Sequence, residues 1–169
     1  MNASNTHNIL QEAIIGCLSG ISIFSDLNTD ELNTISTHMH VSRLEPGDTV
    51  FSEGDPGDKM YFVVDGTLDV LKSFDGQLEK KIAVQAPGGS IGEMAVIGGF
   101  TRTATVKACS DVTLLTLSRR RLMQICEEHP KIGVKILMAI SRLLSNHLRE
   151  TSQELLEFIS PSKPNGSIN

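Results

Sequence analysis

The chain has 169 residues, a formal net charge of −5 and 40% hydrophobic residues, which is typical of a single globular domain with an accessory element. The negative charge argues against bulk electrostatic attraction to nucleic acid. No stretch approaches the roughly 20 apolar residues that cross a bilayer, and the first residues lack the basic start of a secretory signal. These features predict a cytoplasmic protein that has no membrane partner.

The three cysteines, Cys17, Cys109 and Cys126, are far apart in the sequence and form no CxxC pair. This spacing supports neither a disulfide framework nor a metal cluster. We therefore interpret all three as buried thiols.

The N-terminal part of the chain has helical patterning at about 8–23 and again at 29–38. The second helix has a clear start, because Asn28 or Thr29 can cap it and the acidic residues that follow favour the positive end of a helix. We expect N-terminal helices over about 8–40.

From Val41 to about Ser118, short β-branched runs alternate with turn signals, which predicts an all-β sandwich or barrel. The dipeptides Asp65-Gly66 and Asp75-Gly76 each lie between apolar runs and predict tight hairpins in an antiparallel meander. Because closure leaves few exposed strand edges, we expect a mainly β fold, a jelly-roll-like antiparallel β-barrel at about 41–118 with flanking helices.

After Ser118 the pattern is helical again, first at about 118–128 and then from Pro130, a good helix-starting residue, to about Ile159. We interpret Arg119-Arg120-Arg121 as the solvated first turn of the first of these helices. The long helix carries an apolar stripe at roughly helical spacing: Leu137, Ile140, Leu144, Leu148, Leu155 and Phe158. Dimerisation through the 130–159 helix is the preferred explanation, and folding back onto the chain's own barrel is the alternative. Residues 1–160 then form one domain, and 161–169 a disordered tail.

The residues that could bind a ligand lie in the stretch GGSIGEMAVIGGFTRTATV, at 88–106. A short helix at 92–97 would direct its free N–H groups and dipole at an anion. Arg102 can add two charged hydrogen bonds, an arrangement that fits a phosphate. Glu93 can only accept hydrogen bonds when ionised, so its presence implies a guest that also carries hydroxyl donors. A ribose phosphate meets both requirements.

This stretch resembles the phosphate-binding cassette of the cyclic nucleotide-binding domain, found in catabolite-activator regulators, kinase regulatory subunits and nucleotide-gated channels. The resemblance rests on Gly92-Glu93, Ala95 and Arg102-Thr103-Ala104, and extends from about Ile23 to Phe158. It implies that Glu93 binds the ribose 2′-hydroxyl and Arg102 the cyclic phosphate. The backbone amides of Ala95 and Thr103 would complete the cradle, which also contains Met94.

The resemblance also implies a ligand and a covering residue. Family members can cover the base with the C-terminal helix, and His147 falls about where that contact would lie. We favour cAMP over cGMP as the ligand, with no cofactor. Ile91 stands where the family commonly has an aromatic residue and Thr101 where it commonly has Pro, although neither departure removes a ligand-contacting group.

The sequence also allows other interpretations. Glu93 and Arg102 could simply pair with each other on a surface loop, in a relative that keeps the fold without the ligand. His38, His40 and Glu45 resemble half of a cupin metal site, although the later strands offer no further His. No nucleophile motif is present, so we expect no enzyme. About ten polar residues follow Phe158, which predicts no direct DNA binding and an unknown protein effector, unless the chain is a fragment of a larger regulator or kinase.

Overall fold

The structure, a computed structural model, describes residues 3–74 and 78–159, in which helices flank a β-sandwich. The helices are α1 Ala3–Ser19, α2 Thr29–Ser36, α3 Glu93–Gly98, α4 Arg119–Glu128 and α5 Pro130–Ile159, with a 3-10 turn at Ser22–Phe24. The strands are β1 His40–Leu44, β2 Thr49–Phe51, β3 Lys59–Asp65, β4 Leu68–Phe74, β5 Leu78–Gln85, β6 Ser90–Ile91, β7 Thr105–Ala108 and β8 Val112–Ser118.

The strands form two four-stranded antiparallel sheets, with the orders β1-β8-β3-β6 and β2-β7-β4-β5. We call these the first and the second sheet. The mainly β, jelly-roll-like fold with flanking helices is confirmed, but the sheets do not close into a barrel. Strands that are distant in sequence lie side by side in these sheets. For example, β1 pairs with β8.

One of the two predicted hairpins is wrong. Asp65-Gly66 connects β3 of the first sheet to β4 of the second sheet, so the turn is a crossover between sheets. Gly66 has a φ of +79°, and a Cβ there would lie 2.1 Å from the carbonyl oxygen of Asp111. Gly66 therefore has a left-handed backbone conformation in a crowded turn, but this turn does not form a hairpin. The β4–β5 pair is a true hairpin, and its Asp75-Gly76 turn lies outside the described residues.

Two apolar cores follow from the two-residue period of the strands. On one face of the first sheet, Met60, Phe62 and Leu117 pack with the helices in one buried cluster. On the opposite face, Val63 and Leu114 pack with Val106 of the second sheet in another. The first sheet therefore lies between the helices and the second sheet.

The helix boundaries follow the capping signals. Asn28 and Glu31 form a capping box at α2, and the Ser118 side chain accepts a hydrogen bond from the Arg121 amide at the start of α4. The arginine triplet does form the first turn of α4. The predicted 8–23 helix ends earlier, at Ser19, and a separate 3-10 turn follows.

Helix α5 begins at Pro130 and ends at Ile159, as the sequence predicts. Its first half folds back on the chain's own core and buries Ile132, Ile136, Ala139 and Ile140. Its second half exposes large apolar side chains, and Phe158 is 90% accessible. Folding back thus explains the buried face of the first half, and dimerisation stays a prediction for the exposed apolar side chains. No described helix is long and apolar enough to span a membrane, and the predicted tail, 161–169, lies outside the described residues.

The prediction of three buried thiols is wrong. Cys109 is exposed, and Cys17 and Cys126 are partly buried. Cys109 follows the end of β7, where the chain enters a surface turn. Cys126 packs against α5, where a Cβ at Gly133 would come within 2.8 Å of its sulfur.

Candidate functional site

Glycines set both ends of helix α3. Gly92 is the N-cap with a φ of +83° and supplies no side-chain cap, and Gly99 ends the helix with a φ of +68°. The helix predicted at 92–97 is therefore present, displaced by one residue. Glu93 and Ala95 are buried, whereas Met94 is 47% exposed. The first turn of α3 thus presents uncapped backbone amides beside a buried carboxyl group.

Arg102 is only 5% exposed. Its Nη2 donates to the carbonyl oxygen of Lys59 at 2.8 Å and its Nη1 to that of Gly92 at 3.4 Å. Its Cζ lies 4.2 Å from the ring centroid of Phe51 and 5.7 Å from that of Tyr61. The buried Nε has no hydrogen-bond partner. Burial lowers the Arg102 pKa, and Tyr61 and nearby acidic groups oppose the shift.

The backbone of Arg102 is fixed by the loop that precedes β3. Its amide donates to the carbonyl oxygen of Asp55 at 2.8 Å, and its own carbonyl oxygen accepts from Gly54 at 2.9 Å. Pro56 and Thr101 form an isolated antiparallel bridge beside this pair. The Asp55-Pro56-Gly57 turn therefore helps to fix the backbone of Arg102.

Gly57, at the end of the Asp55-Pro56-Gly57 turn, is a further residue of the site. A Cβ at Gly57 would lie 2.3 Å from the Cβ of Ala95 and 3.1 Å from Nε of Arg102. A Cβ at Gly92 would lie 2.4 Å from Nη1 of Arg102. Both glycines leave the space that the guanidinium and α3 need. No sequence signal distinguishes this role of Gly57 from that of a turn.

Glu93 is 6% exposed, and its Oε2 has no hydrogen-bond partner. Burial raises the Glu93 pKa, and its own backbone amide, His147 and Arg102 act in the opposite direction. Its Oε1 lies 3.9 Å from Nδ1 of His147 on α5. Glu93 and Arg102 form no ion pair within 4.0 Å, so a structural pair does not explain their burial.

The remaining predicted residues occupy different positions around this pair. Ala104 is buried at 9% exposure. Thr103 is exposed, and its carbonyl oxygen accepts from Nζ of Lys72 at 2.8 Å. Lys72 also pairs with Glu53. The segment after Arg102 is thus anchored through its carbonyl group, which leaves the Thr103 amide as the group that could face a ligand.

An apolar groove separates α3 from α5. Its volume is about 430 Å³, within the usual range for small-ligand pockets. It is lined by Met94, Ile97, Gly98, Phe100, Leu144, His147, Leu148 and Thr151. The groove places His147 and Met94 together, as the predicted lid over the cassette requires.

A comparison with protein-family models decides the family. The model of the cyclic nucleotide-binding domain matches residues 41–129. The chain belongs to this cyclic nucleotide-binding family. The matched range contains the sandwich, α3 and α4, and hence both Glu93 and Arg102.

Two relatives of this cyclic nucleotide-binding domain are named as regulatory proteins. The chain is 23% identical over 147 residues to a "CRP-like cAMP-activated global transcriptional regulator" of Mycobacterium tuberculosis, covering 87% of this chain and 64% of the regulator. It is 32% identical over 137 residues to a "cAMP-dependent protein kinase regulatory subunit" of Dictyostelium discoideum, covering 79% and 42%. The chain therefore spans less than two thirds of each of these relatives.

The solved structures agree with the fold. A cyclic nucleotide-binding domain from Methylobacillus flagellatus superposes with a TM-score of 0.78 at 28% identity, covering 90% of this chain and 85% of that one. In the described part of this chain, no group of three or more His, Cys, Asp or Glu side chains could hold a metal ion. His38 and His40 of the cupin interpretation line a separate cavity, treated below.

Gly57→Ala should weaken ligand binding in the cassette while the sandwich stays folded. The added methyl group would meet Ala95 and the side chain of Arg102, and overpacking of this kind typically costs about 1–3 kcal/mol. The measurement is the dissociation constant of a cyclic nucleotide together with the melting temperature. Gly16→Ala is the control, because a Cβ there meets nothing within 4 Å. Equal affinities of the two variants would contradict the role assigned to Gly57.

Glu93→Gln should stabilise the nucleotide-free protein in alkaline solution. Because the folded-state pKa of Glu93 is raised above its ordinary value of 4.5, the folded protein binds more protons than the unfolded chain as the pH rises above that value. Stability contributed by Glu93 therefore falls with rising pH and is lowest above the folded-state pKa. We expect a gain on the order of 1 kcal/mol, about 3 °C in Tm.

The measurement is the thermal unfolding of wild type and Glu93→Gln between pH 4 and pH 9. The difference in Tm should shrink toward zero as the pH approaches 4, where the carboxyl group is protonated in both states. A difference that does not change with pH would show that ionisation of Glu93 is not the cause. Glu79→Gln is a matched control on exposed β5, where Glu79 pairs with Lys107 at 2.7 Å.

Proposed function

We propose that the protein is a regulatory receptor that binds cAMP in preference to cGMP and relays binding through α5 to a partner or a second copy of itself. The observation that carries the proposal is the pair Arg102 and Glu93. Both side chains are buried beside the start of α3, each has an unpartnered polar atom, and the two do not pair with each other. A guest that supplies both an anion and a hydroxyl donor would satisfy both groups.

Arg102 provides the phosphate contact. Its guanidinium now donates to two backbone carbonyl oxygens, and its Nε donates to none. A phosphate oxygen is a charged acceptor and forms stronger hydrogen bonds than a neutral carbonyl group does. A cyclic phosphate would therefore compete with Lys59 and Gly92 for the guanidinium, with the uncapped amides of α3 and the Thr103 amide completing the cradle.

Glu93 provides the sugar contact. A buried carboxylate that accepts from a ribose 2′-hydroxyl gains a partner for its orphaned Oε2. Such a bond favours the ionised form and so lowers the Glu93 pKa toward its ordinary value. The other oxygen, Oε1, would keep its weak contact with His147 at 3.9 Å.

The base would lie in the groove between α3 and α5. That groove offers an apolar lining with two polar groups, His147 and Thr151, which suits the face and edge of a purine. The relatives from Mycobacterium and Dictyostelium are both named for cAMP, which supports adenine over guanine.

The relay would act on the second half of α5. Lys135 pairs with Glu31 at 2.7 Å and Arg142 with Asp26 at 2.5 Å, so the first half is tied to the N-terminal elements. His147 lies beyond these ties and touches the cassette. A nucleotide that binds better with one position of this segment than another shifts the population toward it.

The proposal assigns a regulatory role and no catalysis. The named relatives are a transcriptional regulator and a kinase regulatory subunit. The absence of direct DNA contact stays a prediction. One of these relatives is named as a transcriptional regulator. The cytoplasmic location and the protein effector also stay predictions.

Calorimetric titration with cAMP and with cGMP tests the function. The protein is first unfolded, freed of nucleotide and refolded. We expect saturable binding, tighter for cAMP. Arg102→Ala should cost about 2–5 kcal/mol, roughly 30-fold to several thousand-fold in Kd. Arg43→Ala is the control, because Arg43 is an exposed β1 residue outside the cassette. No binding of either nucleotide to the wild type would leave a domain that keeps the fold and lacks the ligand.

Two further variants assign the contacts. Wild type should bind cAMP more tightly than 2′-deoxy-cAMP, and Glu93→Ala should narrow that gap. His147→Ala should weaken binding of cAMP and of 2′-deoxy-cAMP equally, because His147 is expected to cover the base. A wild type without a 2′-deoxy penalty would refute the role of Glu93, and an unchanged affinity in His147→Ala would refute the lid.

The exposed face of α5 is the proposed dimer surface. Its exposed side chains repeat at alternating steps of four and three residues, the spacing of a coiled-coil seam. The large apolar members are 55–70% exposed. The seam consists of Val134, Met138, Ser141, Ser145, Leu148, Ser152, Leu155 and Ile159. It differs from the stripe read from the sequence, part of which is buried in the first half of the helix.

Leu155→Glu should convert a dimer to a monomer, because a charge in the seam would be buried without a partner. Leu156→Glu is the matched control, because Leu156 is 65% exposed and lies beside the seam. Light scattering after size exclusion measures the mass. A wild-type monomer, or equal loss of the dimer in both variants, would contradict dimerisation through this seam.

A further inference from the structure

A second cavity, of about 520 Å³, lies where the first sheet meets the end of α2 and the start of α4. None of its lining residues belongs to the cassette or to α5. The cavity is lined by Thr37, His38, Met39, His40, Ser42, Lys59, Tyr61, Thr116, Ser118 and Arg121. We call it the basic cavity.

The basic cavity is a polar continuation of an apolar sheet face. The two-residue period places Lys59, Tyr61 and Val63 on one face of β3. Val63 is fully buried between the two sheets, whereas Lys59 is exposed. Strand β8 repeats the change, from buried Leu114 to partly exposed Thr116. The second sheet therefore covers only the apolar end of this face, and the polar end opens to solvent.

The charged groups that line the basic cavity are of one sign. Lys59 and Arg121 line it together with the imidazole rings of His38 and His40, and no Asp or Glu does. Arg121 donates to Gln124 of its own helix at 2.9 Å. Within the described part of the chain, neither Lys59 nor Arg121 forms an ion pair. In a protein of net charge −5, such a group of unpaired cations calls for an anionic partner.

His38 adds an unsatisfied polar atom. Its Nδ1 is buried and has no hydrogen-bond partner. Burial lowers the His38 pKa, the charges of Arg121 and His129 lower it further, and Glu128 on α4 opposes them. An anion in the cavity would offer the missing partner and would favour the protonated, doubly donating ring.

Hydroxyl groups and a helix start complete the lining. The Oγ of Ser118 accepts from the Arg121 amide at 3.3 Å as the cap of α4, so its own O–H can donate elsewhere. Ser42 and Thr116 contribute further hydroxyl groups from neighbouring strands. Ser118 is the N-cap of the ten-residue helix α4, so the positive end of the α4 dipole lies beside the cavity.

We propose that the basic cavity binds a small organic phosphate, with Arg121 and Lys59 as its charged contacts and His38 as a further donor. Many donors arranged around two cations suit a dianionic phosphate better than a single carboxylate. The volume exceeds that of the phosphate group and leaves room for its organic part. The proposal does not depend on nucleotide binding by the cassette.

The basic cavity and the cassette meet at β3. The Lys59 carbonyl oxygen accepts from Arg102 of the cassette, and Lys59 directs its side chain to the basic cavity. Tyr61 lines the cavity and lies 5.7 Å from the Cζ of Arg102. A test must therefore separate binding at the two places.

Titration of the full chain with sodium pyrophosphate, followed by NMR at constant ionic strength, tests the proposal. We expect saturable shifts at His38 and Arg121 and a raised His38 pKa. Arg121→Gln should weaken binding about tenfold or more. Arg120→Gln is the matched control, because Arg120 is exposed on the same helix and does not line the cavity.

Four outcomes would overturn the proposal. Shifts that never saturate, or an equal loss in Arg120→Gln, would show general charge attraction. Shifts confined to Glu93–Thr103 would place the anion in the cassette. Binding of a hexaglutamate peptide without binding of pyrophosphate would indicate an acidic protein segment as the occupant. If Arg121→Gln does not fold, Lys59→Gln applies the same test, because the exposed Lys59 side chain carries no packing in the core.

Discussion

The buried guanidinium of Arg102 is the constraint on which the rest of this site depends. A permanently charged group at 5% exposure is costly unless its donors are used. The structure meets that cost with two backbone carbonyl oxygens and an aromatic ring, contributed by β3, Gly92 and β2. Three segments distant in sequence must therefore be in place at once. The sandwich holds them there, which explains why the site forms at the point where β3, β6 and α3 converge.

Glycine is the necessary counterpart of that arginine. Gly92 needs its positive φ to turn the chain into α3, and it also leaves the space that Nη1 occupies. Gly57 needs no special backbone angle, but any side chain there would meet Ala95 and Arg102. The packing of α3 and the placement of the guanidinium are thus one steric problem. A ligand that moves either one must move the other.

Local signals in the sequence predict the parts of the fold that local chemistry determines. Pro130 starts α5, Ser118 caps α4, and Asn28 with Glu31 starts α2. The Asp65-Gly66 hairpin is wrong because a turn dipeptide specifies backbone angles and not which strands pair. Closure into a barrel is wrong for a similar reason, since it depends on contacts between strands far apart in the sequence.

The same division applies to the site. Glu93 and Arg102 can be singled out as candidate ligand contacts, because they are charged residues in an otherwise uncharged stretch. The extent of α3 can be predicted from the glycines that bound it. Lys59, Phe51 and Gly57 could not be found, because they act through a carbonyl group, a ring face and an absent side chain. The basic cavity is hidden because its two cations, Lys59 of β3 and Arg121 of α4, come from elements that are distant in the sequence.

Helix α5 shows how one element can join binding to output. Its first half is fixed by a buried apolar face and by ion pairs to Glu31 and Asp26. Beyond Leu144 every side chain is exposed, and the contact of His147 with Glu93 is 3.9 Å long. The helix is thus rigid where it belongs to the domain and weakly held where it meets the cassette. Because that weak contact involves the carboxyl group assigned to the sugar, ligand binding and the α5 contact would act on the same side chain.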